Sequence, residues 1–234
     1  IVATEATEFQ KMLMDSFVER AEKIRNGEVE ATIDNMLKLT NEAKLMSIDP
    51  RLIIEDAPND PESKLNIAIN NVLSIWQNGK EKSTTQIIFC DSGTPKPGQF
   101  NVYDEIKSCL IMKGVDEVQI AFVHDAKTDE QREVLFEKVR MGEVRILLGS
   151  TSKLGTGTNV QDKLYAVHHL DCPWRPSDIE QRDGRILRQG NENPKINIFR
   201  YVTKGTFDAY LWQIQEQKLK YISQVMTGKS ISRS

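Results

Sequence analysis

Three side chains suited to a phosphate-bearing ligand, Gln181, Arg185 and Arg188, fall at i, i+4 and i+7 in the stretch from Ser177 to Gly190. On a helix that spacing puts one amide and two guanidiniums on a single face. Forked guanidiniums beside a cleared surface suit a polyphosphate. Gly184, next to Arg185, costs a helix about 1 kcal/mol relative to alanine, so something is expected to pass close to the backbone there. The helix has its own signals: Pro176 and Ser177 open it, Glu180 follows Ser177 by three as in a capping box, and Gly190 comes after the last turn. Ile179, Ile186 and Leu187 make its buried face. From this helix alone, a solvated face making salt bridges is an equal alternative.

A second segment lies upstream. Val144 to Leu148 is an apolar run of strand length that leads into Gly149, Ser150, Thr151, Ser152, Lys153, Leu154, Gly155, Thr156, Gly157, Thr158, Asn159, Val160 and Gln161. The carboxyl end of a strand in an open α/β sheet is where ligands bind. Gly155 and Gly157 permit close backbone approach, while Ser150, Thr151, Thr156 and Lys153 supply donors that hold phosphate oxygens.

These segments must be positioned by a scaffold, and the chain from Ser83 onward alternates in the required way. Strands are expected at Gln86–Cys90, Gln119–His124, Val144–Leu148, Leu164–Leu170 and Ile196–Val202, with helices at Tyr103–Met112, Asp129–Val139, Ser177–Arg188 and Phe207–Val225. Strands this apolar, separated by amphipathic helices, predict an α/β fold with a mainly parallel sheet covered on both faces. The first eighty residues read as helices instead. Phe9, Met12, Leu13, Phe17, Ala21 and Ile24 recur at helical spacing, as do Ile33, Met36, Leu37, Thr40 and Ala43, and a third helix runs from Asp60-Pro61 to Gly79. Their stripes read as core. The loop Asp91 to Asn101, with two prolines and two glycines, follows a strand end and reads as a surface loop, with nucleic-acid contact the alternative.

With 234 residues and 39% hydrophobic content the chain can bury one good core and a smaller appendage. No apolar run is long enough to span a bilayer and no signal peptide is visible, so a cytoplasmic protein with no membrane association is expected. Cys90, Cys109 and Cys172 are odd in number and far apart, which argues for reduced thiols. His124, His168 and His169 lack metal-ligand spacing with them, so no metal site is expected. Lys plus Arg against Asp plus Glu runs 7 to 14 over residues 1–62, 14 to 16 over 63–180 and 10 to 4 over 181–234. The acidic start is no nucleic-acid footprint; the basic end is compatible with one, or with a merely exposed helix.

The pair STSKLGTGTNVQ and QRDGRILRQG resembles motifs V and VI of superfamily 2 helicases and translocases, closest to the Swi/Snf-like branch and its phage and mobile-element relatives. TQIIFCD, Thr85 to Asp91, is similar to motif IV, the first strand of that family's second RecA-like lobe, and DPRLI, Asp49 to Ile53, looks like the phage-type members. The resemblance covers roughly residues 83–226 and implies the C-terminal RecA-like lobe of an ATP-dependent DNA helicase or translocase, preceded by a helical linker or appendage over residues 1–82. By it, Arg185 and Arg188 are catalytic, one of them the arginine finger. Gly155, Gly157, Asn159 and Gln181 serve the nucleotide; Ser150, Thr151, Lys153 and Thr156 serve nucleic-acid phosphates. DNA is the expected track, with RNA the alternative. Where a Swi/Snf motif VI reads Ala-His-Arg-Ile-Gly-Gln near its end, this chain has Ile186, Leu187, Arg188, Gln189 and Gly190, a departure from the eukaryotic remodeller pattern.

A RecA-type ATPase also needs a P-loop and a strand-end Asp-Glu pair for magnesium. Gly228, Lys229 and Ser230 imitate a P-loop's end, but Ser223 stands where its first glycine belongs, and Asp116-Glu117 and Asp129-Glu130 follow no apolar strand. With Ile1-Val2 at its start, the chain reads as half of a two-lobed motor, ATP and Mg2+ being bound mainly by an N-terminal RecA-like lobe of the same parent protein. Two further readings remain: a non-catalytic RecA-like nucleic-acid-binding or interaction module, and the motor part of a restriction or methylation system.

Overall fold

A computed structural model describes residues 1–154, 158–184 and 189–231, with side chains through residue 227. Its elements follow the chain as β1 (Val2–Thr4), α1 (Glu8–Arg25), α2 (Met36–Ile48), α3 (Lys64–Asn78), β2 (Thr85–Phe89), α4 (Val102–Met112), β3 (Ile120–Phe122), α5 (Asp129–Arg140), β4 (Ile146–Gly149), α6 (Thr151–Leu154), β5 (Leu164–His169), α7 (Pro176–Asp183), β6 (Asn197–Thr203) and α8 (Phe207–Ile231).

Among the described residues six strands form one sheet in the order β1-β6-β5-β2-β4-β3, with every pairing parallel. The α/β expectation therefore holds. β2, at the centre, is buried at every position, as a strand covered on both faces must be. Alternation along the strands sorts their side chains between two cores. Ile88, Ile146 and Leu148 pack with Leu65, Ile69, Tyr103 and Ile106 beneath α3 and α4. Ile87, Phe89, Leu147 and Val167 pack with Phe136 and Val139 of α5 on the other face.

Helix starts follow local chemistry. Thr7 with Gln10 and Thr128 with Gln131 close capping boxes, while Asn35, Ser63 and Asn101 cap α2, α3 and α4 with their side chains. These caps correct two expected boundaries: α2 begins at Met36 rather than near Ile33, and α3 at Lys64 rather than at Asp60-Pro61.

The larger correction is at the N-terminus. Val2–Thr4 is a strand, pairing with Tyr201, Val202 and Thr203 of β6, whereas the sequence reads as helical from its start. Three residues are too few to display a period of two, and what makes them a strand is the free edge of β6. The apolar stripes of the first two helices are also only partly core: Leu13, Phe17, Leu39, Ala43 and Met46 are buried together, but Met12, Ile33 and Leu37 are exposed. The third helix, α3, shares its core with the central sheet.

Candidate functional site at the carboxyl edge of the sheet

Because all strands run the same way, the chain leaves β2, β4 and β5 along one edge of the sheet. The residues just beyond those exits are Asp91, Ser150-Thr151 and Asp171. Each exit carries a polar group, and a single side chain gathers them. Arg182, on α7, has no exposed surface and sits among all three.

Its Nε donates to the Thr151 hydroxyl at 2.8 Å, and one terminal nitrogen donates to the Asp171 carbonyl at 2.9 Å and to Nδ1 of His169 at 3.3 Å. The other terminal nitrogen meets the carboxylates of Asp171 at 2.9 Å and Asp91 at 3.0 Å. The guanidinium also lies 5.3 Å from the Phe89 ring centre. Asp91 accepts the backbone N–H of Thr151 at 2.7 Å and its hydroxyl at 2.9 Å. Asp171 accepts the N–H groups of Asp91 and Ser92 at 2.9 and 3.1 Å. The exits of three strands and the α7 helix are thus one hydrogen-bonded block.

Burial alone would raise the Asp171 carboxyl, but Arg182, with Lys44 and Lys64 further off, reverses this and holds it below the usual carboxylate range. Burial likewise disfavours the Arg182 cation, and the two aspartates outweigh it, so its affinity for the proton rises. An arginine is the side chain for this place because its fork has five donors in fixed directions.

The block extends to β6. His169 must accept from Arg182 at Nδ1, since arginine only donates, so its Nε2 carries the proton and donates to Asp183 at 2.8 Å. Burial keeps this imidazole neutral by lowering its pKa. The other Asp183 oxygen takes Arg200 of β6 at 3.1 Å. Burial pushes the Asp183 carboxyl up, and these two partners more than reverse the shift.

Among the expected site residues, Ser150 and Thr151 are buried in this block, with the Ser150 hydroxyl accepting the Lys153 N–H at 3.3 Å. Thr151 spends both its N–H and its hydroxyl internally. Lys153 is exposed on α6, Gln181 is half-buried on α7, and Asn159 has an exposed side chain while its carbonyl accepts from Arg140 at 2.8 Å. Arg185, Arg188, Gly155, Thr156 and Gly157 lie outside the described residues. Expected features of the arginine helix are corrected in part. Arg175 is the N-cap of α7, Pro176 occupies its first turn, and no side chain caps it, so the Ser177–Glu180 capping box does not form. Proline at that point starts the helix two residues ahead of where a Ser177 cap would have started it. Gly184 is exposed at φ −61°, with only carbonyls of its own helix near the space a Cβ would fill. The Asp91 carboxylate, at the head of the expected surface loop, turns inward.

The sequence reading missed Arg182, Asp91, Asp171, His169, Asp183 and Arg200. A signal for two of them was present: the apolar runs ending in Cys90 and Leu170 are each followed at once by an aspartate. Among the described residues no cluster of His, Cys, Asp or Glu has the arrangement of a metal site, and the three cysteines are free.

The parallel sheet with helices on both faces is the fold of a RecA-like lobe. The chain belongs to the helicase conserved C-terminal domain family, which matches residues 63–190. It is similar to the defense against restriction protein B of Escherichia phage P1, at 28% identity over 127 residues, 53% of this chain and 6% of that protein. It is 26% identical over 167 residues to the SWI/SNF-related matrix-associated actin-dependent regulator of chromatin subfamily A-like protein 1 of Xenopus tropicalis, covering 70% of this chain and 16% of that one. The crystal structure of the C-terminal part of the Fun30 ATPase domain superposes with a TM-score of 0.67 at 16% identity, over 91% of this chain and 87% of that one. The chain thus spans a small fraction of the curated relatives' length.

Proposed function

We propose that this domain is the trailing half of an ATP-driven DNA translocase, working against a second lobe that carries the P-loop. In this reading residues 83–234 form the lobe together with β1 and α3, which share its sheet and core, and α1 and α2 link or decorate it. Gln181, Arg185 and Arg188 face the triphosphate, with Arg188 or Arg185 as the finger, and Gly155, Gly157 and Asn159 border the nucleotide. Lys153, Ser150, Thr151 and Thr156 serve the nucleic-acid backbone, Thr151 by holding the loop in place and Lys153 by direct charge contact.

The observation that carries this reading is the Asp91–Thr151–Arg182–Asp171 block. It fastens the start of the 150–159 loop to the helix that leads into Arg185 and Arg188, so a shift at one is transmitted to the other. Phosphoryl transfer depends on placement and charge neutralisation, and an arginine brought by a second body completes the site only on closure. Closure is then the step that moves DNA. At the described carboxyl edge Asp91 and Asp171 already spend their charge on Arg182 and do not suit magnesium. In this reading the metal and most ATP contacts come from the partner lobe.

In the two-lobed protein, Arg188→Ala is expected to reduce duplex-stimulated ATP hydrolysis by on the order of 10³-fold or more. Full turnover in both Arg188→Ala and Arg185→Ala would overturn the assignment. Duplex binding should weaken with salt and weaken further in Lys153→Ala, without dependence on DNA sequence.

A further inference from the structure

The edge of the sheet opposite the Arg182 block, where β2, β5 and β6 begin at Thr85, Leu164 and Asn197, carries a pocket of about 450 Å³ between the end of α3 and the loop that enters β6. Both of its walls are fixed by the fold itself. On one side α3 ends at Asn78 with Gly79 as its cap, the Gly79 N–H donating to the Ile75 carbonyl at 2.9 Å, and the Thr84 N–H closes the following turn on the Gly79 carbonyl at 3.2 Å. Ser83 in that turn has φ +50°, which a serine adopts only at a cost that the surrounding bonds must offset. Arg145 pins the turn by donating to the carbonyls of Thr84 at 3.0 Å and Trp76 at 2.9 Å. On the other side the Asn193 side chain donates to the carbonyls of Lys163 and Leu164, each at 3.1 Å, and the Asn191 side chain donates to the Leu164 carbonyl at 2.9 Å. These bonds fasten the loop to the start of β5. A ligand therefore meets a cavity that needs little ordering.

The lining selects the chemistry of that ligand. Ile75, Tyr165 and Pro194 give the pocket apolar walls, with the Tyr165 ring half-buried, which suits a flat apolar body. Lys82 and Lys195 are exposed at its rim and neither has an ion-pair partner among the described residues; with Glu81 beside them, two cations face one anion and a positive charge is in excess. Thr84 also lines the pocket, is 6% exposed, and its hydroxyl has no hydrogen-bond partner among the described residues. That hydroxyl occupies the space a Gly79 Cβ would fill, so the glycine cap is what lets it stand there. A buried hydroxyl left without a partner is unfavourable, and the pocket is where a partner can enter. We infer that this pocket binds a flat apolar ring bearing a carboxylate, the ring against Ile75, Tyr165 and Pro194, the carboxylate between Lys82 and Lys195, and one ligand oxygen accepting from Thr84. A free aromatic acid carries this chemistry, and so does an aromatic residue followed by an acidic one in a polypeptide. A second hollow of about 350 Å³ adjoins the first at Glu81, Lys82 and Asn193 and continues past Ser83 to the Lys163–Glu192 pair, which gives a longer ligand room to run on.

Titration of the chain with N-acetyltryptophan, followed by amide proton–nitrogen correlation spectra, tests this. Saturable binding of a single molecule is expected, with Kd on the order of 0.1–1 mM and with shifted amide signals at Gly79, Thr84, Tyr165 and Lys195. N-acetyltryptophanamide has the same ring without the carboxylate and should bind about 5-fold or more weakly, a difference that should vanish in the Lys82→Gln, Lys195→Gln double variant. Thr84→Val keeps the shape and removes the hydroxyl. It should weaken N-acetyltryptophan binding by about 3-fold or more while leaving the urea midpoint unchanged or raised, because a hydroxyl without a partner adds nothing to the fold. The blocked peptide Gly-Trp-Asp-Gly separates the two sources: binding about 10-fold tighter than N-acetyltryptophan shows that a polypeptide uses the adjoining hollow, and equal or weaker binding shows a site for free acids. Binding that does not saturate, equal affinity for the acid and the amide, or shifts confined to other surfaces would overturn the inference and leave the proposed function standing.

Discussion

Replacing Arg182 by methionine tests whether the edge of the sheet is fastened as described. The methionine fills most of the arginine's volume and removes its charge and all its donors. Asp171, 1% exposed, then loses the partner that offsets its burial, and Asp91, Thr151 and the Asp171 carbonyl lose bonds of 2.8 to 3.0 Å. Breaking one side of a buried ion pair costs about 3–5 kcal/mol, against a total stability of about 5–15 kcal/mol for a domain. Arg182→Met should therefore cost about 3–5 kcal/mol, measured as the shift of the urea midpoint at constant slope. Arg182→Lys keeps the charge but cannot span five acceptors, and should cost about 1–3 kcal/mol. Asp171→Asn in the methionine background should recover part of the loss, because the amide oxygen still accepts the N–H groups of Asp91 and Ser92 without a stranded charge. A loss under about 1 kcal/mol, or strictly additive Arg182→Met and Asp171→Asn effects, would refute the reasoning.

Other outcomes are accessible with the same unfolding measurements. His168 is buried between the Gln86 oxygen and the Tyr201 hydroxyl, each at 2.8 Å, and its pKa is pushed down to about 3 by that burial. The unfolded chain binds the proton near pH 6.5 and the folded one does not, so stability is full above that pH and falls by about 2 kcal/mol from pH 7 to pH 5 through this group. His168→Gln should flatten that slope, and an unchanged slope would show that the site admits the charge. Lys64 and Asp208 form a second buried pair at 2.9 Å. Lys64→Met should cost about 3–5 kcal/mol, most of it restored by Asp208→Asn, whose oxygen can still accept the Thr203 N–H; no rescue would count against the pair. Gly184→Ala should change stability by less than about 1 kcal/mol, since φ −61° suits any residue. If ATP passes close over that position, the added methyl should nonetheless slow turnover in the two-lobed protein; unchanged turnover would remove that reason for the glycine.

The sequence by itself determined the alternation of strands and helices after Ser83, the parallel sheet, the family, and the presence of a polar loop after β4 and a polar helix after β5. These are local properties: apolar runs of strand length, caps such as Thr128 and Asn101, and glycines and prolines at element ends are written in neighbouring residues. Only the tertiary structure decided which polar residues meet. Arg182 adjoins Gln181, yet a step of one residue turns about 100° around a helix, so it points into the sheet edge instead of along the face of its neighbour. Its partners, Asp91, Thr151 and Asp171, stand between 11 and 91 positions away in the chain and are brought together because parallel strands end on the same side. β1 was hidden for the same reason: three residues carry no periodicity, and their strand character comes from an edge of β6 supplied nearly two hundred residues later.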